Sequence, residues 1–267
     1  MDSELLVSLT SQMQQTDSSL ASETHTDAAP NVGSARPRYT HARCLLLCWE
    51  HEDGQMNCLP ELEAMQARLE QNFGFATSLY RIPDEKASIR LKQKVLTMAE
   101  QLDSSDLLVI YYGGSGYIND SAEHMWIASR SCKTNEMVEL NWTKVYKGFI
   151  VDVDCDVLLI LDTCDGAQIG QSLFADVPAR NSQNPGQRIR LLAPSGLAHA
   201  PGPRSFTSAF LKALAQDEGA MTLRSISHRI LLADKTRRND PIVMGVGDSS
   251  DIVLEPKMRI IDEVPAS

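Results

Sequence analysis

Two stretches of this chain end in residues that could do chemistry. Asp106 to Gly116 reads DLLVIYYGGSG, and Asp156 to Asp165 reads DVLLILDTCD. The second delivers Cys164, a candidate nucleophile, with Asp162 two residues before it. A thiol is normally activated by an imidazole neighbour that takes its proton, yet the first stretch delivers Ser115. The nucleophile is present and its base is missing. Each stretch is a short apolar run that stops at small or polar residues, the pattern of a buried parallel strand handing a loop to one edge of a sheet. Such edges are where open α/β sheets place their sites.

The elements that must position these residues alternate along the chain. A strand is expected over Ala42 to Trp49, a helix over Pro60 to Asn72, a strand over Phe75 to Arg81, a helix over Asp84 to Leu102 and a strand over Leu107 to Gly113. Leu62, Met65 and Leu69, then Ile89, Leu91, Val95 and Met98, carry the helical spacing, and Pro60 suits a first turn. A short strand near Met125 to Ala128, a helix Trp142 to Phe149, and strands Val157 to Leu161 and Arg190 to Leu192 follow. Helices Phe206 to Ala215, capped by Ser205, and Leu223 to Leu232 precede a last strand Ile242 to Gly245. The pattern predicts a three-layer α/β/α sandwich with a mostly parallel sheet. Gly166 to Gln187 is polar and rich in small residues, and reads as a mobile loop directly after Cys164.

Composition bounds the rest. The 267 residues suit one domain, 39–256, after an unstructured lead, 1–38, too polar to offset its ordering entropy, and before a short tail, 257–267. A formal net charge of −10 disfavours nucleic acid and leaves basic peptides or proteins as the natural partners. No stretch reads as a signal peptide or membrane span, which places the chain in the cytoplasm with its six cysteines reduced. No zinc-ligand spacing and no calcium-loop spacing occur, so neither metal nor cofactor is expected. The glycines around Ser115 fit neither a dinucleotide loop, because Asn119 occupies the third glycine position, nor a serine nucleophile elbow, because Tyr117 occupies the last.

Taken together, the two strand ends carry a resemblance. YYGGSGY resembles the YYxGHG strand end, and LDTCDGA the LDCCxA strand end, of caspase-like cysteine peptidases, most closely the fungal caspase-like and metacaspase branch. The likeness runs from about Ala42 through ELNWTKVY, LLAP and PGPRSFTSAFLKAL to IVLEP. It implies a caspase-hemoglobinase fold with Cys164 as nucleophile, Ser115 at the position of the family's histidine and Gly116 as a backbone donor to the oxyanion. It also implies Asp162 as the acidic wall of a pocket for Arg or Lys. The loop after the first strand, Glu50, His51, Glu52 and Asp53, is expected beside that pocket.

The substitution at position 115 decides the reading. A free thiol with a pKa of ~8.5 is only a few per cent thiolate at neutral pH, and a serine hydroxyl cannot take its proton. Losing a positioned base costs ~10²–10⁴ in rate. The expectation is therefore a pseudo-peptidase that binds a peptide or another caspase-like chain. The rival is an active cysteine endopeptidase cleaving after Arg or Lys, with His51 or another histidine such as His124, His199 or His228 as base, and self-cleavage near Arg180 or Arg188. A third reading is a regulatory domain with a vestigial site that uses Val145, Tyr146 and Phe149 as its partner surface, although that stripe suits a core.

Overall fold

The computed structural model describes residues 38–52, 56–130, 137–164, 166–174, 187–196, 202, 205–215, 219–233, 240–247 and 250–257. Residues 1–37 of the expected unstructured lead, the tail beyond Lys257, Asp53, Cys132, Asp165, Arg180 and His199 lie outside the described residues. In chain order the elements are β1 (Ala42–Trp49), α1 (Leu59–Arg68), β2 (Ala76–Ile82), α2 (Ala87–Ala99), β3 (Leu107–Gly113), β4 (Ser115–Ile118), β5 (His124–Arg130) and β6 (Met137–Asn141). They continue with α3 (Trp142–Val145), β7 (Asp156–Asp162), α4 (Gly166–Phe174), β8 (Arg188–Pro194), α5 (Phe206–Ala215), β9 (Met221–Thr222), α6 (Leu223–Ala233), β10 (Pro241–Gly247) and β11 (Val253–Leu254).

The main sheet has the order β10-β8-β7-β3-β1-β2, parallel throughout except for β10, which runs antiparallel to β8. Strands β3 and β7 are buried along their whole length, which is why their sequences are apolar runs without alternation. Successive side chains serve opposite faces. Leu46, Val109, Leu158 and Leu192 pack against α1, α5 and α6, whereas Leu45, Leu47, Ile110 and Leu159 pack against α2, α3 and α4. Each fully buried leucine or isoleucine contributes roughly 1.5–3 kcal/mol relative to exposure. The predicted α/β/α sandwich is therefore the observed one. Val145 and Tyr146 are fully buried within it, as a core stripe should be.

Local chemistry sets the element ends. Ser205 accepts the Ser208 N–H at 2.9 Å and starts α5, as expected of a serine cap. Asn141 does the same for α3 through the Lys144 N–H at 2.9 Å. The helix expected from Asp84 begins only at Ala87 because Lys86 takes a left-handed φ of 56°. Its far end stops at Ala99, after which the Leu102 N–H turns back to the Ala99 carbonyl at 3.0 Å. Beyond α1 the chain widens into a π turn, Leu69–Phe73, that Gly74 ends with a φ of 69°.

Two expectations are corrected. The stretch after Cys164 is not a loop from Gly166: residues Gly166–Phe174 form α4, with Ile169 and Leu173 fully buried one turn apart. Its glycines serve close packing. A Cβ on Gly166 would stand 2.0 Å from the Pro194 carbonyl oxygen, and one on Gly170 would stand 2.2 Å from Met244 Sδ. The short strand near Met125 is the middle of a separate antiparallel sheet, β4-β5-β6, whose outer members the sequence reading lacked. The turn joining β4 to β5 is built on Asn119, whose side-chain oxygen accepts the N–H groups of Ser121 and Glu123.

Candidate functional site

Strand register puts the two sequence-predicted strand ends side by side. Gly113 of β3 pairs with Asp162 of β7, so Ser115 and Cys164 each lie two residues past a paired position on neighbouring strands. Cys164 is half-buried and a free thiol. Ser115 pairs with Ile127 on the half-exposed face of the small sheet, and Gly116 pairs with Trp126 on its buried face.

An aromatic stack supports the turn that carries Ser115. Tyr112 lies on Trp126 with ring centroids 3.8 Å apart, and Trp126 lies on Trp142 at 4.2 Å. The Tyr112 hydroxyl accepts from Trp49 Nε1 at 3.1 Å and donates to the Ser115 carbonyl at 2.8 Å. That hydroxyl comes so near the chain that a Cβ on Gly114 would stand 2.6 Å from it. A glycine is thus required between the tyrosine and the serine by close approach.

Gly116 is required for a similar reason. A Cβ there would stand 2.6 Å from Thr163 Oγ1, 2.9 Å from His124 Nε2 and 2.9 Å from the Met125 carbonyl oxygen. His124, weighed from sequence as a base that could fold back, points instead to the buried face beneath Gly116. It is 0% exposed, and burial pulls its pKa down to about 3. The imidazole is therefore neutral at physiological pH. Neither ring nitrogen has a hydrogen-bond partner among the described residues, and neither has Thr163 Oγ1.

Asp162 is 7% exposed and faces the α1 and α5 layer. One carboxylate oxygen accepts the Thr207 N–H at 3.0 Å and also the Thr207 hydroxyl, which is shared with the Tyr111 hydroxyl. Burial raises the Asp162 pKa to about 6, against the opposing pull of the two Thr207 bonds. Its other oxygen has no hydrogen-bond partner among the described residues. Nearby, Glu61 accepts the Gly202 N–H at 2.8 Å and the Ser205 hydroxyl at 2.5 Å, so the start of α5 is held by two carboxylates. Thr207 is 45 positions from Asp162, and no local spacing in the sequence signals that pairing.

The first residues of the loop after β1 lean toward β2, whereas Glu52 reaches Cys58, whose thiol also feels the charge of Asp162. The Glu50 N–H bonds the Ile82 carbonyl at 2.9 Å, and His51 Nδ1 lies 3.2 Å from Asp84 Oδ2. Both contacts lead to β2, the outermost strand, while Cys164 follows β7. Two inter-strand spacings, ~10 Å, separate the ends of β1 and β7. Glu50 and Glu52 line a small cleft of about 140 Å³ together with Arg81, and Asp162 is not among its described lining residues. Glu52 accepts the Cys58 N–H at 2.7 Å, and burial raises its pKa. The structure thus packs Gly116 against Thr163, the residue before Cys164, and leaves His51 and Glu50 on the β2 side. Among the described residues no group of three or more His, Cys, Asp or Glu side chains is placed to hold a metal ion. No helix among them is long and apolar enough to cross a membrane.

No protein-family model matches the chain, and no curated protein sequence does. Solved structures do. The Geobacter sulfurreducens protein GSU0716 superposes with a TM-score of 0.55 at 16% identity, over 79% of this chain and 95% of that one. Caspase-1 from Spodoptera frugiperda superposes with a TM-score of 0.52 at 13% identity, over 82% of this chain and 92% of that one. The pro-form titled pro-sf-caspase-1 gives a TM-score of 0.51 at 13% identity, over 80% and 96%. The fold is caspase-like, and at these identities the likeness is one of fold alone.

Proposed function

We propose that this chain is a catalytically impaired cytoplasmic caspase-like domain of the metacaspase branch that works by binding a peptide segment or another caspase-like chain. One observation supports the reading: Ser115, not a histidine, follows by two residues the β3 position whose β7 partner, Asp162, lies two residues before Cys164. Among the described histidines, His51 pairs with Asp84 and His124 is buried and neutral beneath Gly116. Without an imidazole, neither thiolate formation nor protonation of a leaving amine is assisted, a loss of ~10²–10⁴ in rate. The binding part of the reading rests on Asp162. Its unpartnered buried oxygen is the acceptor offered to an Arg or Lys side chain of the bound segment.

The test is hydrolysis of fluorogenic Arg, Lys and Asp peptides by the purified chain beside Cys164→Ala and Ser115→His. The expected result is no turnover by the unmodified protein and turnover by Ser115→His that disappears when Cys164→Ala is added. Turnover by the unmodified protein that vanishes in Cys164→Ala overturns the reading in favour of an active endopeptidase. Binding of an Arg peptide that is indifferent to replacing its Arg with Gln removes the acidic pocket.

A further inference from the structure

Strand β4 is paired on one side only, with β5. Opposite residues of an antiparallel pair alternate between those that exchange main-chain hydrogen bonds and those that do not. The Asn119 N–H bonds the Glu123 carbonyl at 3.0 Å just beyond the last paired positions, and the His124 N–H turns from Ile118 to Thr143 Oγ1 at 2.7 Å. By that alternation Tyr117 and Ser115 bond β5, whereas Ile118 and Gly116 direct their N–H and C=O groups away from it. Among the described residues no other strand or loop takes those groups. An edge with free groups at every second residue is a template for an extended chain.

The free edge opens into a groove. Ile118, the β4–β5 turn, α3 with the turn that follows it, and α4 enclose about 830 Å³, within the ~300–1,000 Å³ usual for ligand sites. Its charged groups are engaged: Lys144 Nζ lies 3.6 Å from Glu123 Oε1, Glu123 also accepts from Asn119 and Asn141, and Lys147 has a partner of its own. The free polar groups are neutral. Gln168 and Gln171, exposed and one turn apart on α4, carry carboxamides with no hydrogen-bond partner among the described residues. A carboxamide both donates and accepts, which suits the alternating N–H and C=O groups of a peptide main chain rather than a charge.

We propose that the free edge of β4 is a strand-addition site: an extended peptide segment pairs its main chain with Gly116 and Ile118 and runs on into the groove against Gln168 and Gln171. This rests on the peptide-binding reading above and gives the bound segment its course. Gly116 packs against Thr163, the residue before Cys164, and Ile118 lies ~7 Å farther along β4, so the segment leaves the strand-edge site toward α4. Main-chain pairing supplies affinity with little demand on side chains, and selectivity is left to the basic side chain offered to Asp162.

The test is isothermal titration calorimetry of the full chain with an arginine peptide extended by alanines on both sides, and with two versions of it N-methylated at one or the other alternate set of main-chain amides. Only one set faces β4 in a paired strand, so methylation of that set is expected to abolish binding and methylation of the other to spare it. Ile118→Pro removes the outward N–H and no bond to β5, a place where an edge strand tolerates proline. It should weaken binding ~2–10-fold relative to Ile118→Ala, the worth of one hydrogen bond. Replacing both Gln168 and Gln171 with Ala should weaken binding by a similar factor, and unchanged binding there overturns the course along α4. Equal effects of the two methylated sets, or equal binding by Ile118→Pro and Ile118→Ala, overturn the strand addition. If binding in that case still prefers Arg to Gln in the peptide, the peptide-binding reading survives. One-sided methylation effects without that preference support the strand addition and remove the acidic pocket, and absence of binding by every peptide overturns both.

Discussion

Gly116 and His124 meet across the β4–β5 hairpin, with His124 Nε2 only 2.9 Å from the place where a side chain on Gly116 would begin. Thr163 Oγ1 is nearer still, at 2.6 Å from the same point. The residue after Ser115 and the residue before Cys164 are therefore packed together over a buried neutral imidazole. This contact fixes how closely the two strand ends approach, independently of whether the thiol reacts.

Gly116→Ala is expected to destabilise the fold by ~1–3 kcal/mol, the usual cost of overpacking. The oxygen of Met125 is backbone and cannot swing away, so part of the cost persists whatever the side chains do. Adding Thr163→Ala removes the nearest obstacle and should recover part of the loss. Urea unfolding of both single variants and the double variant checks this. Strict additivity of the two effects would mean that the residues are not in contact.

The two buried titratable groups of the site should give opposite pH dependences. His124, with a pKa of about 3 in the folded chain, is lowered from ~6.5 in the unfolded chain. Its neutral form stabilises the fold above pH ~6.5, and that contribution is lost as pH falls toward ~3, at ~1.4 kcal/mol per unit. Asp162 is raised to about 6 from ~3.9, so it weakens the fold at neutral pH and does so less as pH falls through 6 toward 4. Between those limits the two slopes oppose each other. Relative to the unmodified chain, urea midpoints should therefore fall less steeply on acidification for His124→Gln and more steeply for Asp162→Asn. Identical pH profiles for all three proteins would rule out both shifts.

The strands that carry the site were legible because burial on both faces writes itself as uninterrupted apolar runs, as in DLLVIYY and DVLLILD. The Ser205 cap was legible for the same kind of local reason. The α4 helix was not, since Gly166 and Gly170 read as loop residues when their role is contact with Pro194 and Met244, remote in sequence. Strands β4 and β6 were missed because one buried face of a short hairpin leaves only two or three informative positions. The direction of His51 was equally hidden, because Asp84, its partner, belongs to a different connection. What local pattern encodes was readable, and what long-range packing decides was not.

Tyr112→Phe is expected to cost ~1–3 kcal/mol, because the Trp49 indole N–H is left buried without its acceptor. The same change removes the donor to the Ser115 carbonyl and frees the turn beside Cys164. The alkylation rate of Cys164 with iodoacetamide should then rise relative to the unmodified chain. Cys44, which is fully buried in the opposite core layer, serves as the internal control and should stay unreactive. An unchanged rate at Cys164 would mean that the tyrosine does not govern access to the thiol.

The glycines of α4 allow a sharper comparison, since they differ in what stands against them. A Cβ on Gly166 would meet the Pro194 carbonyl at 2.0 Å, which is backbone of β8, whereas one on Gly170 would meet the Met244 side chain. Methionine has three rotatable bonds and can move aside, but a strand carbonyl cannot move without disturbing its ladder. Gly170→Ala should therefore cost little, because higher helix propensity, worth ~1 kcal/mol over glycine, offsets the repacking. Gly166→Ala should cost more than the ~1–3 kcal/mol typical of overpacking and should move the start of α4. Chemical denaturation ranks the two. Similar losses for both would mean that α4 does not lie against β8 at Gly166, and with it the placement of Cys164 two residues earlier would have to be revised.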